Sequence, residues 1–327
     1  MVTKIEAYGP AVTKDHSGYR ILINYLQVFR IIRKVKPEVL EAGDPWLTGI
    51  FCLALKKSGI FKGKLVSFYH SDPIPSYLEP WTKIGRFRGV KKILAALAGW
   101  LFYKLQNGYD LTAVSSRAME AHLHAKGIQT VVYLPFGVPS LYLTELPKRS
   151  QGQIRVLYAG RLDREKGMDL LLAIMPDLLT HENVEISVMG RGGYAGRFAA
   201  WVHPRFSYLG FLESPEQVRD VYDRHDILLA PGPYETFGLG VLEAMARGML
   251  VVGPDVGGTG ELLRQAESPY IFKAHDREDF LRTVRLALAS DHVHGVLQAR
   301  ALAERYGTWD DAVGRMVECY AQPEVAQ

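Results

Sequence analysis

Residues 231–248 read PGPYETFGLGVLEAMARG. The apolar run Ile227–Ala230 before them is punctuated by Pro231, Gly232 and Pro233. Leu239, Leu242 and Ala246 then recur at helical spacing as far as a stop at Gly248. The stretch is a strand, a tight loop and a helix that opens where the loop ends. The first N–H groups of a helix lack partners and carry partial positive charge, which suits a phosphate or a polarised hydroxyl. Glu235 lies before that point and Glu243 about one turn inside it. The pair is spaced to grip the hydroxyl-rich part of a ligand whose anionic part sits on the helix end.

The rest of the chain sets the frame. A length of 327 residues with 48% hydrophobic content suits one large or two ordinary globular domains. No apolar run is long enough to span a bilayer, and the start lacks the pattern of a signal peptide. Cys52 and Cys319 lie far apart in apolar stretches and read as small core residues. A cytoplasmic protein is expected. The net charge of +4 hides an asymmetry. Residues 1–147 carry 19 Lys and Arg against 10 Asp and Glu, while residues 148–327 carry 20 against 25, so the halves stand at +9 and −5. A basic half calls for an acidic partner.

Taken in order, Lys4–Pro10 reads as a short strand and Tyr19–Lys36 as a helix with cations on one face, ended by Pro37. Strands are expected at 38–42, 65–69, 111–115 and 130–134, and helices at 45–57, 90–107 and 117–126, the last capped by Ser115-Ser116. His70 follows the strand 65–69. Leu143–Gln153 is poor in large apolar groups and reads as a linker. The pattern then restarts, with strands at 154–158, 184–189, 227–230 and 250–252 and helices near 168–179, 215–224, 238–247 and 259–266. Alternating β and α segments with apolar strands imply parallel sheets covered on both faces. The expected fold class is α/β, with two doubly wound domains facing across a cleft and ligands at the C-terminal strand ends.

Two further loops carry chemistry. Gly160–Gly167 (GRLDREKG) follows the strand 154–159 and precedes a helix, so Arg161 and Lys166 sit at a strand edge beside a helix N-terminus. A planar donor fork and a point charge together neutralise a diphosphate without a metal ion. Alone, the loop reads equally well as two solvated cations. Gly190, Arg191, Gly192 and Gly193 close the next strand and let backbone approach a ligand.

Together these segments resemble the C-terminal half of GT-B glycosyltransferases, most closely glycosyltransferase family 4. Glu235 through Glu243 matches that family's E-x7-E motif, Gly160–Gly167 its phosphate loop, and Asp255–Glu261 the segment behind. The resemblance covers roughly residues 19–320 and implies two Rossmann-like domains. Residues 1–146 would be the acceptor-side domain, completed by a crossing helix at 308–327, and residues 147–307 the nucleotide-sugar-binding domain. It implies a retaining hexosyltransferase that uses a nucleotide-diphosphate sugar as donor, with no cofactor and no metal. Arg161 and Lys166 would hold the diphosphate and stabilise the leaving group. Glu235 and Thr236 would contact the sugar, with backbone N–H groups of Phe237, Gly238 and Leu239 nearby. Glu243 would take the ribose hydroxyls, the base would lie against Gly210, Phe211 and Leu212, and Gly160, Gly190 and Arg191 would complete the donor site. His70 matches the family's N-terminal-domain histidine beside the transferred sugar, so the catalytic set is His70, Glu235, Arg161 and Lys166. Its plain alternative is a satisfied histidine ending a strand.

The acceptor is expected to be a lipid or a saccharide, and no nucleic acid is expected. Residues 81–104 interleave Lys83, Arg86, Arg88, Lys91 and Lys92 with Trp81, Trp100, Phe102 and Tyr103. Such a stretch suits the anionic cytoplasmic face of a membrane, against the alternative of a solvated helix face with Trp100 and Phe102 buried. Family members usually open with a buried strand and a glycine-rich turn, which Val2–Pro10 does not supply, so the first domain reads as shortened. That leaves a catalytically impaired nucleotide-sugar-binding protein, or half of a complex, as alternatives to the enzyme. A sugar-nucleotide epimerase of the same architecture would lack the E-x7-E segment. An uncovered sheet edge would favour self-association.

Overall fold

Asn24 opens the first helix by accepting a hydrogen bond from the Gln27 N–H at 3.2 Å. The computed structural model describes residues 24–43, 47–69, 74, 82, 87–148, 152–291 and 293–322. Contacts divide the chain into two units, Met1–Leu134 with Arg315–Gln327, and Pro135–Gly314. The expected strand at Lys4–Pro10 and the residues His70, Trp81, Lys83 and Arg86 lie outside the described residues.

In the first unit, α1 (Tyr25–Val35), β1 (Val39–Ala42), α2 (Leu47–Lys57), β2 (Lys64–Tyr69), α3 (Arg88–Gln106), β3 (Leu111–Val114), α4 (Arg117–Ala125) and β4 (Val131–Tyr133) follow in order. α1 lies within the expected Tyr19–Lys36 span, of which residues 19–23 are outside the described residues. Ser116 caps α4 by accepting from the Met119 N–H at 3.2 Å. The four strands form one parallel sheet in sequence order. Among the described residues of this unit there are two apolar clusters, one around Cys52, Phe61, Leu65 and Tyr109, the other around Tyr69, Phe102, Val114 and Leu123.

In the second unit, β5 (Ile154–Ala159), α5 (Met168–Leu178), β6 (Val184–Met189), α6 (Ala195–Ala199), β7 (Phe206–Gly210), α7 (Pro215–Asp223), β8 (Ile227–Leu229), α8 (Leu239–Ala246), β9 (Leu250–Pro254), α9 (Gly257–Gln265), β10 (Ile271–Phe272), α10 (Arg277–Leu288) and α11 (Val293–Tyr306) make a six-stranded parallel sheet, ordered β10-β9-β8-β5-β6-β7. From β5 the chain winds outward through β6 and β7, then returns to the other side with β8, β9 and β10. The junction of β5 and β8 is therefore a topological switch point, where the loops leaving neighbouring strands part to opposite faces and open a crevice. α12 (Trp309–Ala321) starts in this unit, and its last turns count with the first. There Lys64 Nζ donates to the carbonyls of Cys319, Tyr320 and Gln322 at 3.3, 3.4 and 2.9 Å, a cation on a helix C-terminus.

The first residues of the stretch read as a linker are tied to the second unit. Arg247, 2% exposed, ion-pairs with Asp223 at 2.6 Å and donates to the carbonyls of Tyr142, Thr144 and Glu145. Arg300 adds bonds to Tyr142 and Leu143. Two arginines do here what apolar side chains do elsewhere, and the unit boundary moves back to Leu134/Pro135.

Candidate functional site

The switch point brings together the two loops that carry the charged motifs. Gly167, at φ +78°, lies where a Cβ would come 2.6 Å from the Pro231 carbonyl oxygen, so only glycine lets the loop after β5 touch the loop after β8. That approach sets Lys166 Nζ 2.5 Å from Glu235 Oε1, across 69 residues of sequence. Both side chains are partly buried, so the pair is only partly screened by solvent. One loop further along, a Cβ on Gly190 would fall 1.8 Å from the Gly160 carbonyl oxygen. Hydrogen bonds from Gly160 N–H to Met189 and from Gly190 N–H to Gly210 stitch the three strand ends into one rim.

Beneath this rim lies a cavity of about 280 Å³. It collects Gly160, Arg161, Lys166, Glu235, Gly238 and Glu243 from the expected residues, and adds Tyr158, Tyr222 and Thr259. Gly238 stands at the N-cap of α8 at φ +88° with no side-chain cap, so the helix start presents its N–H groups at the cavity. Burial pushes the Glu243 carboxyl up to about 7, while the hydrogen bond donated by the Tyr222 hydroxyl, at 3.3 Å, pulls the other way. Tyr222 is itself buried, packed edge-on against Tyr142, with its phenol pushed well up by burial and by Glu243. Tyr158, buried, donates to the Arg161 carbonyl at 2.6 Å and fixes the start of the phosphate-type loop.

Arg161 differs from the expected free cation. Its guanidinium donates to Asp163 at 2.9 Å and to Glu165 at 2.7 Å on its own loop, so an incoming anion competes with two carboxylates. Arg191 stacks over the Phe211 ring at 4.0 Å, and the pair stands at the exposed rim rather than in the cavity. Phe237 is buried edge-on against Phe136 and Tyr306, which leaves only its backbone for a ligand, and Leu212 and Leu239 pack partly buried on the same core. Thr236 and Gly190 do not line the cavity, and His70 lies outside the described residues. Among the described residues, no group of three or more His, Cys, Asp or Glu side chains is set to hold a metal ion.

Tyr222 and Thr259 escape sequence reasoning. Tyr222 ends a helix 21 residues before Glu243 in no recurrent spacing, and the strand order alone joins them. Thr259 sits inside the Gly-rich stretch 257–260, where its buried hydroxyl has no hydrogen-bond partner.

Two parallel-sheet Rossmann-like units, the second with a charged crevice at its switch point, define the GT-B class of fold. Residues 153–290, which lie within the second unit, match the family model for glycosyl transferases group 1. Over 294 residues the chain is 26% identical to the sulfoquinovosyl transferase SQD2 of Arabidopsis thaliana, covering 84% of this chain and 55% of that protein. The chain thus spans about half the length of this curated relative. Among solved structures, the sucrose-phosphate synthase of Thermosynechococcus elongatus superposes with a TM-score of 0.71 at 19% identity, over 94% of this chain and 81% of that one. Alr3699/HepE of Anabaena, in complex with UDP, gives 0.68 at 14% identity, over 90% and 81%.

Proposed function

We propose that the protein transfers a hexose from a nucleotide-diphosphate sugar to the hydroxyl of a lipid or saccharide acceptor, with retention of configuration and without a metal ion. The observation that carries this reading is the Lys166–Glu235 pair at the mouth of a cavity whose other wall is the start of α8. A donor molecule has the matching chemistry in the matching order. Its diphosphate meets Lys166, the α8 N–H groups and, once drawn from its carboxylates, Arg161. Its sugar hydroxyls meet Glu235, and its ribose hydroxyls meet Glu243.

In the reaction, the bond between the sugar C1 and the β-phosphate oxygen breaks while the acceptor oxygen bonds C1 from the same face. The acceptor proton passes to the departing phosphate oxygen, leaving nucleoside diphosphate and glycoside. The charge that develops on that phosphate is what Lys166 and Arg161 stabilise most in the transition state. UDP is the nucleotide to try first, since the HepE structure holds it.

A second reading, donor binding without transfer, is favoured by one observation. Among the described residues, all those lining the cavity belong to the second unit. Incubating the full chain with labelled UDP-sugars and a lipid extract or oligosaccharides separates the two. Labelled product supports transfer, and calorimetric UDP binding with no product supports the binder. No affinity for any nucleotide sugar overturns both.

A further inference from the structure

Helix α3 carries two apolar faces. One packs inward through Gly99, Phe102 and Gln106. On the opposite side Val90, Ile93, Leu94, Leu97, Trp100 and Leu101 are each at least half exposed. At helical spacing these six fall in a stripe roughly 120° wide that runs the length of the helix. A contiguous exposed stripe of this kind marks an interaction site. The ends of the helix say what it meets. Arg88, Lys91 and Lys92 stand in its first turns and Lys104 in its last, with Lys104 Nζ 4.9 Å from the centroid of the Trp100 ring. No Asp or Glu occurs anywhere between residues 88 and 106.

We infer that α3 is a membrane-surface helix, which lies flat in the headgroup layer of a bilayer containing anionic lipid and sinks its apolar stripe into the acyl boundary. A carboxylate-free helix with apolar side chains between cationic ends complements anionic headgroups over a hydrocarbon layer. Trp100 beside Lys104 supplies the amphipathic ring that settles at such an interface. The same charge pattern disfavours a second copy of this chain, since a two-fold contact would bring like-charged helix ends together without a carboxylate to meet them. Among the described residues no helix is long and apolar enough to cross a membrane, so α3 lies on the surface and does not span it. This inference rests on the first unit alone and stands apart from donor binding in the second.

The test is co-sedimentation of the full chain with vesicles of phosphatidylcholine alone or with roughly one-third phosphatidylglycerol. The chain is expected to pellet with the anionic vesicles and to be released in part on raising salt from about 0.1 to about 0.5 M. Leu97→Glu with Trp100→Glu is expected to lower binding at least ~10-fold, and Arg88→Gln, Lys92→Gln and Lys104→Gln together by about the same factor, with UDP binding and thermal melting unchanged. In a milder variant that spares the fold, the emission difference between wild type and Trp100→Phe should shift to the blue on adding anionic vesicles. The inference fails if the wild type stays in the supernatant, if the glutamate variant pellets equally, or if the Trp100 difference spectrum does not move. It fails too if the wild type is a dimer that the glutamate substitutions convert to a monomer while vesicles bind neither.

Discussion

Lys166 and Glu235 leave different strands and meet at 2.5 Å over the crevice between them. Neither group is well placed without the other. Without Glu235 the lysine would lose its carboxylate partner, and without Lys166 the half-buried carboxylate would lose its ion pair. Replacing Lys166 by Met therefore removes the proposed diphosphate contact and the ion pair of Glu235 at once. UDP affinity measured by titration calorimetry is expected to fall about 100-fold, the low end of what truncating one partner of a buried charge pair costs. Glu235→Gln keeps a neutral partner beside Lys166. It should hold UDP affinity within about 3-fold while lowering sugar transfer at least ~100-fold. Equal losses in both would undo the division of roles between sugar and phosphate.

Glu243 gives a pH dependence with a definite sign. Its carboxyl is pushed up by burial from 4.5 to about 7, so between those values the folded chain holds a proton that the unfolded chain releases. The stability it contributes is complete below about 4.5 and is lost as pH rises through about 7. Glu243→Gln should therefore gain on the wild type with rising pH, by at most about 3 kcal/mol between pH 4.5 and 8, seen as a Tm difference that opens in that direction. UDP should respond the other way. In the proposed donor complex ribose hydroxyls would donate to the ionised carboxylate, so wild-type affinity should rise from pH 6 to 8 with proton release, and the Gln variant should be flat. A Tm difference that closes with pH would show the carboxyl to be lowered instead.

The second unit was largely legible because buried parallel strands are unbroken apolar runs and glycine or proline punctuates them. β6 lies at the expected 184–189, and α8 is within a residue of the expected helix at each end. β7 was not legible, since on this sheet edge Ser207 and Leu209 are exposed and Phe206 alone is buried. α10 and α11 carry buried stripes that the spacing arguments did not take up. The charged motifs were readable as letters, but their pairing was not. That Arg161 spends itself on Asp163 and Glu165, or that Tyr222 reaches Glu243, follows from a loop turn and a strand order with no local signature.

The carboxylates around Arg161 make a prediction that a bare motif would not. Glu165 is exposed and holds one arm of the guanidinium at 2.7 Å, while Asp163 also accepts the Gly193 N–H and has a structural duty. Glu165→Gln should free the arm without disturbing the loop. An exposed pair contributes about 0.2–1 kcal/mol, so UDP affinity should rise about 2- to 5-fold, more at low salt than at high. Unchanged affinity at low salt would mean that Arg161 does not turn to the diphosphate at all.

Arg247 sits at the end of the same helix that opens at the cavity, yet its work is structural. It is almost wholly buried, paired with Asp223 at 2.6 Å, and bonded to three carbonyls of the segment that follows the unit boundary. Arg247→Met keeps much of the volume but removes the 2.6 Å partner of Asp223, which keeps Arg219 at 3.8 Å, and the donor to the Thr144 and Glu145 carbonyls, while the Tyr142 carbonyl keeps Arg300. Removing one partner of a buried pair is expected to cost about 3–5 kcal/mol, against a total stability of about 5–15 kcal/mol for a domain. The loss should show in the denaturant midpoint with an unchanged slope, and in earlier proteolysis within 142–148, where the chain would lose its anchor. Asp223→Asn alone should cost less, because Arg247 retains its carbonyl acceptors. If the two substitutions cost the same, the ion pair to Asp223 rather than the carbonyl network accounts for what Arg247 contributes to stability.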